Sequence, residues 1–207
     1  MTTTIYLVRH GQTNSNVTGY YMGRSEEDLN NTGYAQAHHL SSRMASFHLD
    51  AVYASPLLRT QTTAGIIAEP HNIMPQTLEE LTEIGLGEWQ GRHLDEIRKS
   101  WPEMWQQTRI DPSDVEFPGG ESFRQAAERA AKAFRIVADA SPNQTSVIVT
   151  HDIIVRTIVS HVLVVSTSIY RRIEINNASL SMVKIESGKM HLINLNDTSH
   201  LSSSGIE

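Results

Sequence analysis

The chain has no cysteine in 207 residues, so it can hold no disulfide framework, thiolate nucleophile or cysteine-ligated zinc. It also lacks excess positive charge. Its 17 lysines and arginines stand against 23 aspartates and glutamates, a formal net charge of −6, which argues against a surface built to grip nucleic acid or an acidic membrane. No stretch approaches the roughly 18 consecutive apolar residues of a bilayer span. The opening MTTTIYLV has no basic region followed by a long apolar run. A cytoplasmic protein with neither nucleic-acid nor membrane partners is therefore expected. With 39% hydrophobic and 19% charged residues, the composition is that of a globular protein, and the length fits one domain with an insertion. Any anion site must be a local cluster.

What is present reads as strands alternating with helices. Residues 5–8 form a short apolar run suited to a strand buried on both faces. Ala37, Leu40, Met44 and Phe47 recur at helical spacing and predict a helix over 32–47 with Thr32 as cap. DAVYAS predicts a second strand. Ser55 and Pro56 after it signal a helix start, with the helix running to Ala68. The segment 88–120, rich in Gly, Pro, Trp and charge, reads as a lid-like insertion with one helix near 93–106. Ser122 and Gln125 form a capping box before an amphipathic helix. SVIVT is a third strand, followed by a buried helix in DIIVRTIVSHVLVV, and a closing hairpin turns at Ser187 and Gly188. The polar tail, 198–207, is expected to fray. The alternation predicts an α/β, three-layer αβα fold with a mostly parallel central sheet.

Three of the predicted strands end in chemistry-bearing residues: Arg9 and His10, then Ser55 and the helix carrying Arg59, then His151. Ligands of open α/β sheets bind at the carboxyl ends of strands, so these residues could converge on one crevice. Arg9 and Arg59 offer planar forks suited to phosphate. GQTNSN after His10 would start a helix with free backbone N–H groups and Asn16 in its first turn. Without cysteine, the nucleophile must be Ser, Thr, His or a carboxylate. A neutral imidazole at His10 attacks phosphorus without a base, while a protonated His151 and two arginines would offset a phosphate dianion with no metal and no cofactor. Hydrolysis also needs an acid for the departing alkoxide and a base for water, and one carboxyl can serve both turns. Of Glu83 and Glu88, Glu83 is preferred because it follows the apolar stretch directly, whereas Glu88 reads as solvated.

Five segments, LVRHGQTNSN, YASPLLRTQTTA, LTEIGLGEWQG, PGGES and VTHDIIVR, together resemble the histidine phosphatase superfamily, in its phosphoglycerate-mutase-like phosphatase branch, over residues 4–160. The resemblance implies a phosphohistidine on His10, a phosphate pocket of Arg9, Arg59 and His151, a substrate contact from Asn16, and Glu83 as general acid and base. It places Met22 and Gly23 where backbone meets substrate. It implies hydrolysis of a small phosphorylated metabolite: a ribazole phosphate, phosphoserine, phosphoglycerate or a sugar phosphate. A cofactor-dependent phosphoglycerate mutase is the alternative within the family, and a silent phosphate-binding module the alternative from another class. Asp152 stands where many members have glycine, either as a helix cap or as a group tuning His151.

Other features keep two readings. Arg156 is a buried ion-pair partner or a substrate contact, and Trp89, Trp101 and Trp105 either line a lid or pack the insertion onto the body. His38 and His39 are adjacent on a helix and point apart, with no HExxH spacing, so they are surface residues rather than metal ligands. The apolar hairpin strand near 180–195 offers an edge at which a homodimer could form.

Overall fold

In the computed structural model, which describes residues 2–202, the chain forms a six-stranded sheet and a two-stranded ribbon flanked by helices. The strands are β1 (Thr2–Arg9), β2 (Tyr20–Tyr21), β3 (Ala51–Ala54), β4 (Gln76–Thr77), β5 (Arg92–His93), β6 (Thr145–Thr150), β7 (Leu180–Glu186) and β8 (Lys189–Asp197). The helices are α1 (Asn14–Thr18), α2 (Asn31–Met44), α3 (Leu58–Ala68), α4 (Leu94–Ser100), α5 (Pro102–Ile110), α6 (Phe123–Ala140), α7 (Asp152–Val162) and α8 (Ser199–Ser202). The large sheet has the order β4-β3-β6-β1-β7-β8. Its first four strands are parallel, and β7 and β8 continue it as an antiparallel hairpin.

Alternation along the central strands sorts side chains into two cores, since successive residues of a strand face opposite ways. Ile5 and Leu7 of β1, Tyr53 of β3 and Ile148 of β6 pack against α6 and α7 through Phe134, Val137, Ile154 and Ile158. Tyr6 and Val8, Val52, and Val147 and Val149 face the other way onto Leu40, Met44, Ala64 and Ile67 of α2 and α3. The result is the expected three-layer arrangement, its parallel strands apolar on both faces. Chain leaving β1 and β3 passes to the α2/α3 face, while chain leaving β6 enters α7 on the opposite face. Neighbouring strands whose connections diverge leave a crevice at their carboxyl ends.

Several local expectations are corrected. Asn30, not Thr32, caps α2 by accepting from Gly33 N–H at 2.8 Å, and the helix ends at Met44. The single helix near 93–106 is two, because Pro102 bars Trp101 from helical conformation (φ −134°, ψ 58°) and starts α5. The apolar run after His151 is not wholly buried. Helix α7 ends at Val162, Val164 adopts φ 55°, and Leu163, Val164 and Val165 face solvent. Residues 199–202 of the tail form a helical turn tied back by Asp197 and Arg43, and 203–207 lie outside the described residues. The hairpin turns at Ser187 (φ 50°) and Gly188 (φ 76°) as expected. The tryptophans of 88–120 form an aromatic cluster with Phe117 and Phe123, the two outer indoles each 6–6.3 Å from that of Trp89. None of the three lines the cleft described below.

Candidate active site

Parallel pairing delivers the site. Arg9 lies opposite Thr150 and Ala54 opposite Val149, so β1, β3 and β6 end at one level. His10 N–H donates to the Thr150 carbonyl at 3.0 Å, and Ser55 N–H to the Val149 carbonyl at 3.1 Å. The next residue of each strand is thereby held over the same crevice. The imidazoles of His10 and His151 meet with ring centroids 5.3 Å apart, and both are buried (4% and 0% exposed). His10 lines a cleft of about 250 Å³ together with Arg9, Asn16, Met22, Gly23, Arg59 and Glu83, and the fully buried His151 adjoins it through His10.

The hydrogen bonds show which nitrogen of each ring is already engaged. His10 Nδ1 lies 2.7 Å from the Gly11 carbonyl. A carbonyl only accepts, so Nδ1 carries the proton and Nε2 keeps its lone pair. His151 Nε2 lies 2.8 Å from the Ser55 hydroxyl, while its buried Nδ1 has no partner. With Ser55 donating, Nε2 accepts and Nδ1–H is an unspent donor. The pair thus presents one bare nitrogen and one N–H. Burial first, then Arg59 and Arg9, holds the pKa of His10 well below the usual histidine value, and burial, Arg59 and His10 do the same for His151. Both shifts favour the neutral ring in the site without a bound anion. Desolvation beside arginines disfavours a further cation.

The loop after His10 is seated by close packing. A Cβ on Gly11 would stand 2.5 Å from the Gly33 carbonyl, and one on Gly33 would stand 2.0 Å from that of Gln12. The free N–H groups expected here are already taken. Gly11 N–H donates to Thr63, Gln12 N–H to Gln36, Thr13 N–H to Asn16, Ser15 N–H to Glu27, and Asn16 N–H to Thr13. The reciprocal capping of Thr13 and Asn16 consumes the turn's own donors. Asn16 Oδ1 also accepts from Asn177 Nδ2 at 3.0 Å, which leaves the Asn16 Nδ2 as its donor toward a ligand.

The cationic groups are held by neutral partners. Arg59, the second residue of α3, donates from Nη1 to the Ser25 carbonyl at 2.9 Å and from Nη2 to the Gly23 carbonyl at 2.7 Å. Arg9 Nη1 donates to the Ile175 carbonyl at 2.7 Å, and its buried Nε is unpartnered. Glu83 accepts from the Ile84 N–H at 2.9 Å. Burial above all, with the charge of Asp152 adding to it, pushes its carboxyl up to about 7. Asp152 caps nothing. It is the first residue of α7, bonded to Arg156 Nε at 2.8 Å and 4.0 Å from Arg9. Arg156 pairs with Asp152 and also lines the cleft. Glu88 is exposed and outside it.

Sequence reading missed the part that Ser55 plays and the place of Glu27, Tyr170 and Arg171 in the cleft. Ser55 was expected to cap α3, but the cap position is Leu57 with no side-chain bond, and the Ser55 hydroxyl instead orients His151. Glu27 lines the cleft with a buried, unpartnered Oε2. Tyr170 and Arg171 reach it from a short 3-10 helix, the guanidinium 4.9 Å from the ring. Only a strand-end serine facing a strand-end histidine carried a usable signal. Among the described residues, no group of three or more His, Asp or Glu side chains could hold a metal ion, His38 and His39 included. No helix among them is long and apolar enough to cross a membrane.

The profile of the histidine phosphatase superfamily (branch 1) matches residues 5–198. Phosphoserine phosphatase 1 of Hydrogenobacter thermophilus is 34% identical over 203 residues, covering 98% of this chain and 96% of that protein. The metal-independent phosphoserine phosphatase of Arabidopsis thaliana is 34% identical over 208 residues, covering 99% and 85%. Among solved structures, Bacillus stearothermophilus YhfR superposes with a TM-score of 0.93 at 29% identity, covering 99% of this chain and all of that one.

Proposed function

Because this chain belongs to the histidine phosphatase superfamily, we propose that it hydrolyses small phosphate monoesters through a phosphohistidine on His10. The single observation that carries this reading is the paired imidazole geometry. A bare Nε2 on His10 lines the cleft, the ring of His151 with its unpartnered Nδ1 stands 5.3 Å behind it, and beside them are two arginines to which no carboxylate is hydrogen-bonded.

His10 Nε2 attacks phosphorus as the P–O bond to the leaving group breaks. Arg9, Arg59, Asn16 and His151 Nδ1–H stabilise the equatorial oxygens, where charge collects. Protonated Glu83 gives its proton to the departing oxygen, so the product leaves as an alcohol. The resulting carboxylate then takes a proton from water, which attacks the phosphohistidine. The N–P bond breaks, phosphate departs, and His10 and Glu83 return to their starting states. A carboxyl with a pKa of about 7 suits both turns. Met22 and Gly23 border the leaving group, and residues 88–120 belong to the same domain and buttress the cleft from behind by packing on Ile84, Leu86 and Tyr170, which line it. The cleft's volume suits a small ester, and the names of the two 34%-identical relatives make phosphoserine the first to assay.

The test is release of phosphate from p-nitrophenyl phosphate and from O-phosphoserine in the presence of EDTA. The native chain should turn over and form an acid-labile phosphoprotein, and His10→Ala should do neither. No phosphate release from any ester would refute the proposal. Fast isomerisation of 3-phosphoglycerate primed by 2,3-bisphosphoglycerate, without net release, would establish the mutase instead.

A further inference from the structure

Glu83 sits in an irregular segment with no strand or helix to fix its backbone, yet a general acid must stay within hydrogen-bond reach of the leaving oxygen. What holds it lies behind the cleft. The Glu83 carbonyl accepts from Arg24 Nε at 2.9 Å and from Arg129 Nη2 at 3.4 Å. Arg129 Nη1 takes the preceding carbonyls as well, those of Glu80 at 2.8 Å and Thr82 at 2.5 Å.

Both guanidiniums end on one carboxylate. Arg24 Nη2 donates to Glu121 Oε2 at 2.9 Å, while Arg129 donates through Nε to Oε1 at 2.9 Å and through Nη2 to Oε2 at 2.8 Å. The Arg129 contact is a bidentate fork, the geometry that resists rotation. Glu121 also grips the segment itself: Oε2 accepts from Gly85 N–H at 3.2 Å, and its own N–H donates to the Gly85 carbonyl at 2.7 Å. The two loops cross so tightly that a Cβ on Gly120 would stand 2.4 Å from that carbonyl. With the Glu121 and Arg129 side chains 14% and 18% exposed, water competes little for these bonds.

We propose that Glu121, Arg129 and Arg24 form a clamp that positions the carboxyl of Glu83 for proton transfer. They are positioning residues: they face the backbone of the segment, and Glu83 faces the substrate. The inference rests on the reading of Glu83 as the acid. It has a signature that general loosening lacks: in kcat/KM, which reports the steps up to departure of the leaving group and not the later attack of water, the clamp matters only where that group needs a proton. A p-nitrophenolate departs without one, whereas an alkoxide does not.

The experiment compares kcat/KM for O-phosphoserine and for p-nitrophenyl phosphate in Glu121→Gln, Arg129→Lys and Arg24→Ala, with Glu83→Gln as reference and thermal melting as a check on folding. Misplacing a catalytic group by about 1 Å costs on the order of 100-fold. Glu121→Gln and Arg129→Lys should therefore lose about tenfold or more on the alkyl ester and less than about threefold on the aryl ester. If Glu121→Gln does not fold, Arg24→Ala decides, since that side chain is 43% exposed and its loss leaves the core intact. It should show the same selectivity at smaller size. Equal losses on both esters, or no loss, would overturn the clamp. If Glu83→Gln itself shows no selectivity for the alkyl ester, the assignment of Glu83 as acid fails; if it does and the clamp variants do not, only the clamp fails.

Discussion

Replacing Glu83 by glutamine should stabilise the protein at alkaline pH while stopping its chemistry. The carboxyl ionises near its ordinary 4.5 in the unfolded chain but is pushed up to about 7 in the folded one, chiefly because burial strips water from the charged form. Between those values the folded chain holds more protons than the unfolded chain, so stability falls as pH rises. At about 1.4 kcal/mol for each pH unit, the full effect is about 3 kcal/mol, complete above pH 7 and absent below 4.5. Glutamine keeps the shape and carries no charge, so Glu83→Gln recovers this energy at pH 8 and gains nothing near pH 4. Urea unfolding of both proteins at the two pH values, compared at equal slopes, measures it as a difference of differences and cancels every other titrating group. A stability difference that is the same at both pH values, or a variant less stable at pH 8, would refute a buried, proton-holding Glu83. Turnover of O-phosphoserine should fall on the order of 100-fold or more at any pH.

Ser55→Ala removes the donor that fixes the His151 tautomer. A buried Nε2 left unpaired should cost about 1–3 kcal/mol by thermal melting, and a tautomer free to withdraw its proton from Nδ1 should cost on the order of 100-fold in kcat; wild-type kcat in the variant would show that Nδ1–H does not serve the phosphoryl group. Arg59→Lys keeps a charge but cannot span the two carbonyls of Ser25 and Gly23 with one planar fork, so steady-state assays should show kcat/KM down by at least about tenfold with the fold intact. Asp152→Asn removes a charge that raises the Glu83 carboxyl, so the alkaline limb of the kcat/KM profile should move to lower pH. A limb that stays in place would show that Asp152 does not act on Glu83.

Most of the fold was legible because its signals are local. Residues 5–8, DAVYAS and SVIVT announce strands by apolar content, and Ser122 with Gln125 announces α6 by a capping box that the structure contains. The same logic brought Arg9, His10, Arg59 and His151 to one end of the sheet. What stayed hidden was decided by partners remote in sequence. Ser55 looks like a cap until His151, 96 positions away, claims its hydroxyl. The turn at 11–16 looks like a row of free N–H groups until Thr63, Gln36 and Glu27 take those of Gly11, Gln12 and Ser15. The strands β2, β4 and β5 have two residues each, too few for any periodicity to register.

The arginines of this chain divide by what holds them, and the division matches what each does. Arg9 and Arg59 are anchored to carbonyls of Ile175, Ser25 and Gly23. A carbonyl orients a guanidinium without cancelling its charge, so the positive potential stays in the cleft for a dianion, and the nearest carboxylate to Arg9 stands at 4.0 Å, bonded to Arg156 instead. Arg24 and Arg129 are closed by Glu121 at 2.9 and 2.8 Å, which spends their charge and turns them into struts for backbone carbonyls. Exchanging these arrangements would fail in both places: a carboxylate on Arg59 would compete with phosphate, and an unpaired Arg129 would be a buried cation without compensation. The local cluster that an acidic chain needs in order to bind an anion is therefore built less by adding arginines than by anchoring two of them to carbonyls, with no carboxylate hydrogen-bonded to either.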